Sequence, residues 1–118
     1  MEAIEKEKHV IFAFLHGSSL EYDKFHDIDI ALFIQGAITE SVRDKYEIEL
    51  SVELEETIGS KVDITILNDA KLGFQYQVLK GELLFCKDYE IYYEFGERVL
   101  RYYFDFQPLT KQMLSEIK

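Results

Sequence analysis

The stretch HGSSLEYDKFHDIDIALF, from His16 to Phe33, decides how this chain reads. It opens on Gly17 and Ser18, crosses a short polar segment and arrives at Asp27-Ile28-Asp29-Ile30. Apolar residues frame it, Val10 to Leu15 before and Ile28 to Ile34 through and after. Successive side chains of a strand alternate faces, so Asp27 and Asp29 share one face and Ile28 and Ile30 the other. Two carboxylates side by side repel each other, and Asp is a poor strand former. A divalent cation removes that repulsion, and hard oxygen donors at this spacing suit Mg²⁺. Gly17 admits a close backbone approach, and Ser18 offers a hydroxyl and an N–H, which is what a metal-bound polyphosphate needs.

Outward from this stretch the chain alternates between strand and helix patterns. Residues 2–8 read as a short polar helix or helix end, and His9 to Leu15 as a buried strand running into the Gly17 turn. Ile28 to Ile34 is the second strand, closed by Gln35-Gly36. A helix follows, capped by Thr39 or Ser41, with Val42, Tyr46, Leu50, Leu54 and Ile58 at helical spacing and Gly59 at its C-terminal stop. VDITIL, Val62 to Leu67, is a third strand with Asp63 and Thr65 on one face and Val62, Ile64 and Ile66 on the other. Strand–helix–strand order makes Ile28–Ile34 and Val62–Leu67 neighbours in one sheet, which brings Asp63 beside Asp27 and Asp29 as a three-carboxylate metal site. Asn68-Asp69 caps a helix from about Ala70 to Lys80, Gly81 ends it, and Leu83 to Cys86 is a short strand. Asp88 caps the last long helix, Tyr89 to about Phe106, which Pro108 stops. A short helix over Thr110 to Ile117 is expected to end the chain. The expected fold class is α/β, a small mixed sheet backed by helices, in a single domain spanning residues 1–118.

Composition bounds the function. At 118 residues, 47% apolar and 31% charged, the chain is globular with room for one core. A formal net charge of −10 excludes a broad direct nucleic-acid surface and suits a basic protein partner. Cys86 is the single cysteine, so no intrachain disulfide forms, and zinc-ligand spacings are absent. No run reaches transmembrane length and MEAIEKEKH lacks the signal-peptide pattern, so the expected location is the cytoplasm, away from membranes.

Several residues carry a plainer reading. An isolated D-x-D pair is commonly only a solvated strand end; the Gly-Ser before it and Asp63 on a third strand favour a metal site. Lys24, the one cation in the loop, is read as solvated, and His16 and His26 as polar surface outside the metal set. Cys86 is expected to act as a small buried hydrophobe. In the last helix Ile91, Phe95, Val99, Tyr102 and Phe106 make a core stripe, while Tyr92, Tyr93 and Tyr103 lie partly off it and suggest an interface.

HGSSLEYDKFHDIDIAL and VDITIL resemble the motifs of the nucleotidyltransferase superfamily that includes DNA polymerase beta and kanamycin nucleotidyltransferase. The later stretch, LNDAKLGFQYQVLKGELLFCKDYEIYYEFGERVLRYYFDFQPL, resembles its single-domain branch, the minimal nucleotidyltransferases (MNT), which pair as antitoxins with HEPN ribonuclease toxins. The resemblance spans His9 to Leu109. It implies Asp27, Asp29 and Asp63 as catalytic metal ligands, Gly17, Ser18 and Ser19 as nucleotide-binding residues, Mg²⁺ as cofactor and ATP as substrate. It further implies transfer of AMP to a hydroxyl of a HEPN-type toxin, in a hetero-oligomer with it. The chain departs from the pattern in two places: Ser19 stands where many members carry Arg, and the loop from Ser18 to Asp27 is about two residues shorter than the commonest form. Two other functions stay open from sequence: a non-catalytic antitoxin that masks its toxin, and a small-molecule transferase of the aminoglycoside type.

Overall fold

The computed structural model describes residues 2–16 and 28–105. The order of elements is α1 (Glu2–Glu5), β1 (Val10–His16), β2 (Ile28–Ile34), α2 (Glu40–Asp44), a π-helical turn (Lys45–Glu49), α3 (Leu50–Ile58), β3 (Val62–Ile66), α4 (Leu72–Leu79), β4 (Glu82–Cys86) and α5 (Tyr89–Asp105). The strands form one mixed sheet in the order β3-β2-β1-β4. β2 and β3 run parallel, joined by the α2–α3 crossover, while β1 is antiparallel to both β2 and β4. This is the mixed α/β sheet expected from sequence. The first strand starts at Val10 rather than His9 and reaches His16. The expectations on Gly17, Ser18, Ser19, Lys24, His26, Asp27, Phe106, Pro108 and the 110–117 helix lie outside the described residues.

Each face of the sheet carries its own core. Val10, Ala13, Ile30, Leu32, Ile34, Val62, Ile64 and Ile66 pack with Tyr46, Leu50 and Leu54 of the crossover and with Ile4, fully buried, of α1. On the other face Phe12, Phe14, Ala31 and Leu67 meet Val78 of α4 and Phe95 and Val99 of α5. Phe12 is the hub there, stacked on Phe33 at 4.9 Å and edge-on to Tyr92 at 5.1 Å.

Thr39 rather than Ser41 caps the crossover, its Oγ1 accepting from the Val42 N–H at 3.1 Å. The helix is not uniformly α. Steps of four residues, from Val42 to Tyr46 to Leu50 to Leu54, overshoot a 3.6-residue period. The wider turn at Lys45–Glu49 takes up the excess, so that Tyr46, Leu50 and Leu54 all stay buried. It also aims Glu47 at the sheet. β3 is an edge strand, and two of its outward N–H groups are taken by helix carboxylates: Val62 donates to Glu55 Oε2 and Ile66 to Glu47 Oε2, each at 3.0 Å. Such covering blocks pairing with another chain. Gly59 closes the helix at φ 85°, in the left-handed region, donating to the Glu55 carbonyl at 2.8 Å.

Four local expectations are corrected. Asn68 and Asp69 do not cap the next helix, which starts at Leu72 after Lys71. Asn68 instead clamps β2, accepting from the Ile34 N–H at 2.9 Å and donating to its carbonyl at 2.7 Å, while Asp69 pairs with Arg43. The side-chain amide offers an acceptor and a donor, the complement of a peptide group, and here the Ile34 peptide takes both. Cys86 is half-buried, because β4 is the other edge of the sheet; that partial burial still pushes its thiol up. Tyr102 is 47% exposed and leaves the core stripe, whereas Tyr92, expected partly off it, packs on Phe12 and Phe14. Asp88 caps α5 as expected, accepting from the Glu90 and Ile91 N–H groups at 3.0 and 3.2 Å.

Gly81, between α4 and β4, is needed for close approach: a Cβ there would lie 2.4 Å from the Leu15 carbonyl oxygen and 3.3 Å from His16 Cα. Gly81→Ala should therefore cost about 1–3 kcal/mol, since one backbone must move off the other. Urea unfolding measures it, and an unchanged midpoint would show that the end of β1 moves freely.

Candidate active site

The sequence placed Asp29 and Asp63 near the starts of two strands, and the sheet puts them side by side. In the parallel ladder Ile28 faces Val62, Asp29 faces Asp63 and Ile30 faces Ile64. Residues so paired project to the same face, with backbones about 4.8 Å apart. That face is the one that α4 and α5 cover, because Ala31, two residues along from Asp29, belongs to the core beneath those helices. The site thus lies at one end of a packed apolar floor. Asp63 is exposed and Asp29 half-buried, so the pair opens toward solvent. Asp27, the third expected carboxylate, and the nucleotide-binding Gly17, Ser18 and Ser19 lie outside the described residues. Among the described residues no three His, Cys, Asp or Glu side chains converge to hold a metal.

The structure adds a residue that sequence reasoning set aside. His16 ends β1 directly opposite Asp29 in the antiparallel ladder, so His16, Asp29 and Asp63 form one row across three strands. Its ring stands edge-on to Phe74 of α4 at 5.2 Å. Desolvation lowers its pKa below the usual imidazole value, with the Asp29 charge opposing that shift, and Nε2 is buried with no hydrogen-bond partner among the described residues. The sequence signal was its position immediately before Gly17, once β1 is paired antiparallel with β2. A neutral imidazole beside two carboxylates leaves the row negative, and negative oxygen ligands on adjacent strands suit a hard divalent cation. Those two carboxylates fit Mg²⁺.

Known proteins share this architecture. A toxin–antitoxin complex with AMP-PNP matches at a TM-score of 0.72 and 20% identity, over 97% of this chain and 90% of that one. The MntA–HepT toxin–antitoxin structure matches at 0.67 and 19%, covering 97% and 88%. A complex of tri-AMPylated Shewanella oneidensis HEPN toxin with MNT antitoxin also matches at 0.67 and 19%, covering 97% and 87%. At these identities the likeness is one of fold alone. No curated protein sequence matches the chain significantly. The sequence profile of the polymerase beta nucleotidyltransferase family matches residues 1–90, and the chain belongs to that family.

If Asp29 and Asp63 share a cation, Mg²⁺ or Mn²⁺ at a hundred times its dissociation constant should stabilise the fold by about 2.7 kcal/mol. Asp29→Asn should abolish that gain while leaving the fold intact. A metal-induced shift that persists in Asp29→Asn would overturn the pair as a metal site.

Proposed function

We propose that this chain is a metal-dependent nucleotidyltransferase that moves AMP from ATP to a hydroxyl of a partner protein, a HEPN ribonuclease toxin, and so acts as its antitoxin. The observation that carries this reading is the alignment of Asp29 with Asp63 across β2 and β3 in a chain of this family. Structures of the same fold include a complex with AMP-PNP and one with an AMPylated HEPN toxin, which supports ATP as donor and a toxin as acceptor. The net charge of −10 suits a basic, RNA-cutting partner.

Asp29 and Asp63, with Asp27, would hold Mg²⁺, which when bound supplies charge neutralisation on the triphosphate and lowers the pKa of a hydroxyl. Asp63, the exposed member of the pair, accepts the proton of the acceptor hydroxyl. The hydroxyl oxygen then bonds to the α-phosphorus, and the bond from that phosphorus to the bridging oxygen breaks. Pyrophosphate leaves with the bond's electron pair. Gly17, Ser18 and Ser19 would cradle the triphosphate on the leaving side. The acceptor's own protein would bring its hydroxyl in line at the pair.

Transfer and masking are separated by incubating the HEPN ribonuclease with ATP, Mg²⁺ and either wild type or Asp29→Asn/Asp63→Asn. This chain is then removed, and the ribonuclease is weighed and assayed. Wild type should leave a lasting gain of one or more AMP units and an inactive ribonuclease, and the double variant should leave neither. Inhibition that vanishes on separation, with no mass added, would establish masking and refute the transferase.

A further inference from the structure

Gly96 sits in the middle of α5, where glycine is the weakest helix former short of proline, and nothing among the described residues asks for it. A Cβ built there meets no atom of the described residues within 4 Å, and the residue is not at a positive φ. The missing side chain therefore serves the outside of the helix. What it leaves is a groove of about 550 Å³ between α4 and α5, walled by Tyr76 and Leu79 on one side and by Tyr92, Tyr93 and Leu100 around Gly96 on the other. Tyr89, Tyr93 and Leu100 on the α5 side are 53%, 65% and 42% exposed, which makes a continuous apolar and tyrosine-rich strip. Tyrosine-rich, apolar centres with charged margins are the composition of protein interfaces.

The charge beside that strip selects the occupant. At 100° per residue, Glu90, Glu94 and Glu97 fall on the flank of α5 next to Tyr93 and Leu100. Glu97 is held by Arg101 at 3.4 Å, which leaves Glu90 and Glu94 to set the sign of the margin. On the far wall Lys80 lies over the Tyr76 ring at 5.2 Å. A second copy of this chain, itself at net −10, would bring the same acidic margin against this one. We propose that the groove between α4 and α5 seats an amphipathic helix of the partner protein, with its apolar side over Gly96 and its basic flank against Glu90 and Glu94. For the identity of that partner this rests on the antitoxin reading; the groove itself does not depend on Asp29 or Asp63.

The test uses the full chain and a synthetic helical peptide with Leu at i, i+3, i+4 and i+7, Lys and Arg along one flank, and a single Trp as reporter. The chain itself has no Trp, so its emission does not interfere. Wild type should bind the peptide and shift its emission, with affinity falling as salt rises. Gly96→Leu fills the groove with a better helix former. It should weaken binding at least tenfold while its melting temperature stays the same or rises. Ile48→Glu, on the crossover helix and 58% exposed, should change neither. Failure of wild type to bind, or equal binding by Gly96→Leu, overturns the proposal. Equal binding of a peptide with the same apolar side and an acidic flank does so as well. If wild type sediments as a dimer that Gly96→Leu makes monomeric, the occupant is a second copy and the proposal is wrong. Peptide binding that behaves as expected, beside a ribonuclease that gains no AMP, would sink the transferase reading alone.

Discussion

Everything at the candidate site depends on the register between β2 and β3. A slip of one residue in either strand would move its aspartate to the far face of the sheet and carry an isoleucine or valine into the site. The pairing of Asp29 with Asp63 is therefore held from many directions. Ile28 donates to the Lys61 carbonyl at 2.9 Å, one residue before the pair, and Leu67 donates to the Leu32 carbonyl at 2.7 Å beyond it. Asn68 then grips the Ile34 peptide with both ends of its amide. On the outer edge Glu55 and Glu47 fix β3 against the crossover helix.

Apolar burial makes the same choice. Ile30, Leu32 and Ile34 of β2, and Val62, Ile64 and Ile66 of β3, alternate onto one face, where all of them are buried. Each fully buried aliphatic side chain of this kind contributes roughly 1.5–3 kcal/mol. Repulsion between two partly solvated carboxylates is worth far less, on the order of 1 kcal/mol in a watery setting. The hydrophobic pattern on one face thus compels an arrangement of charge on the other that the charges alone would avoid. A cation that restored the balance there would meet a geometry already made.

The parts legible in the sequence were those written as periodicity. Alternation gave β2 and β3 their faces, and the strand–helix–strand order gave their parallel pairing, so Asp29 and Asp63 could be placed side by side before any coordinates. What stayed hidden depended on partners distant in sequence. Asn68 reads as a helix cap because its neighbours suggest one, yet its partner, Ile34, lies 34 residues away. The π turn at Lys45–Glu49 follows from the need of Tyr46, Leu50 and Leu54 to face one sheet, a demand that an isolated helix does not feel. His16 belongs to the row only once β1 is paired with β2. The exposure of Tyr102 and the burial of Tyr92 depend on where α5 sits over Phe12, which no single-helix pattern specifies.

The same fold separates chemistry from contact. The carboxylate row lies at the end of the sheet face that α4 and α5 cover, while the groove faces outward between those two helices. Phe74 and Tyr76 join them within one turn of α4: Phe74 reaches inward to His16, and Tyr76 walls the groove and stacks on Tyr103 at 3.9 Å. A protein seated on the groove is thereby held at a fixed distance from Asp29 and Asp63 by a short, rigid helix. That arrangement suits a small transferase whose acceptor is itself a folded protein. On the proposed reading, binding energy gathered at the groove would orient a hydroxyl at the row, without the row having to grip the acceptor itself.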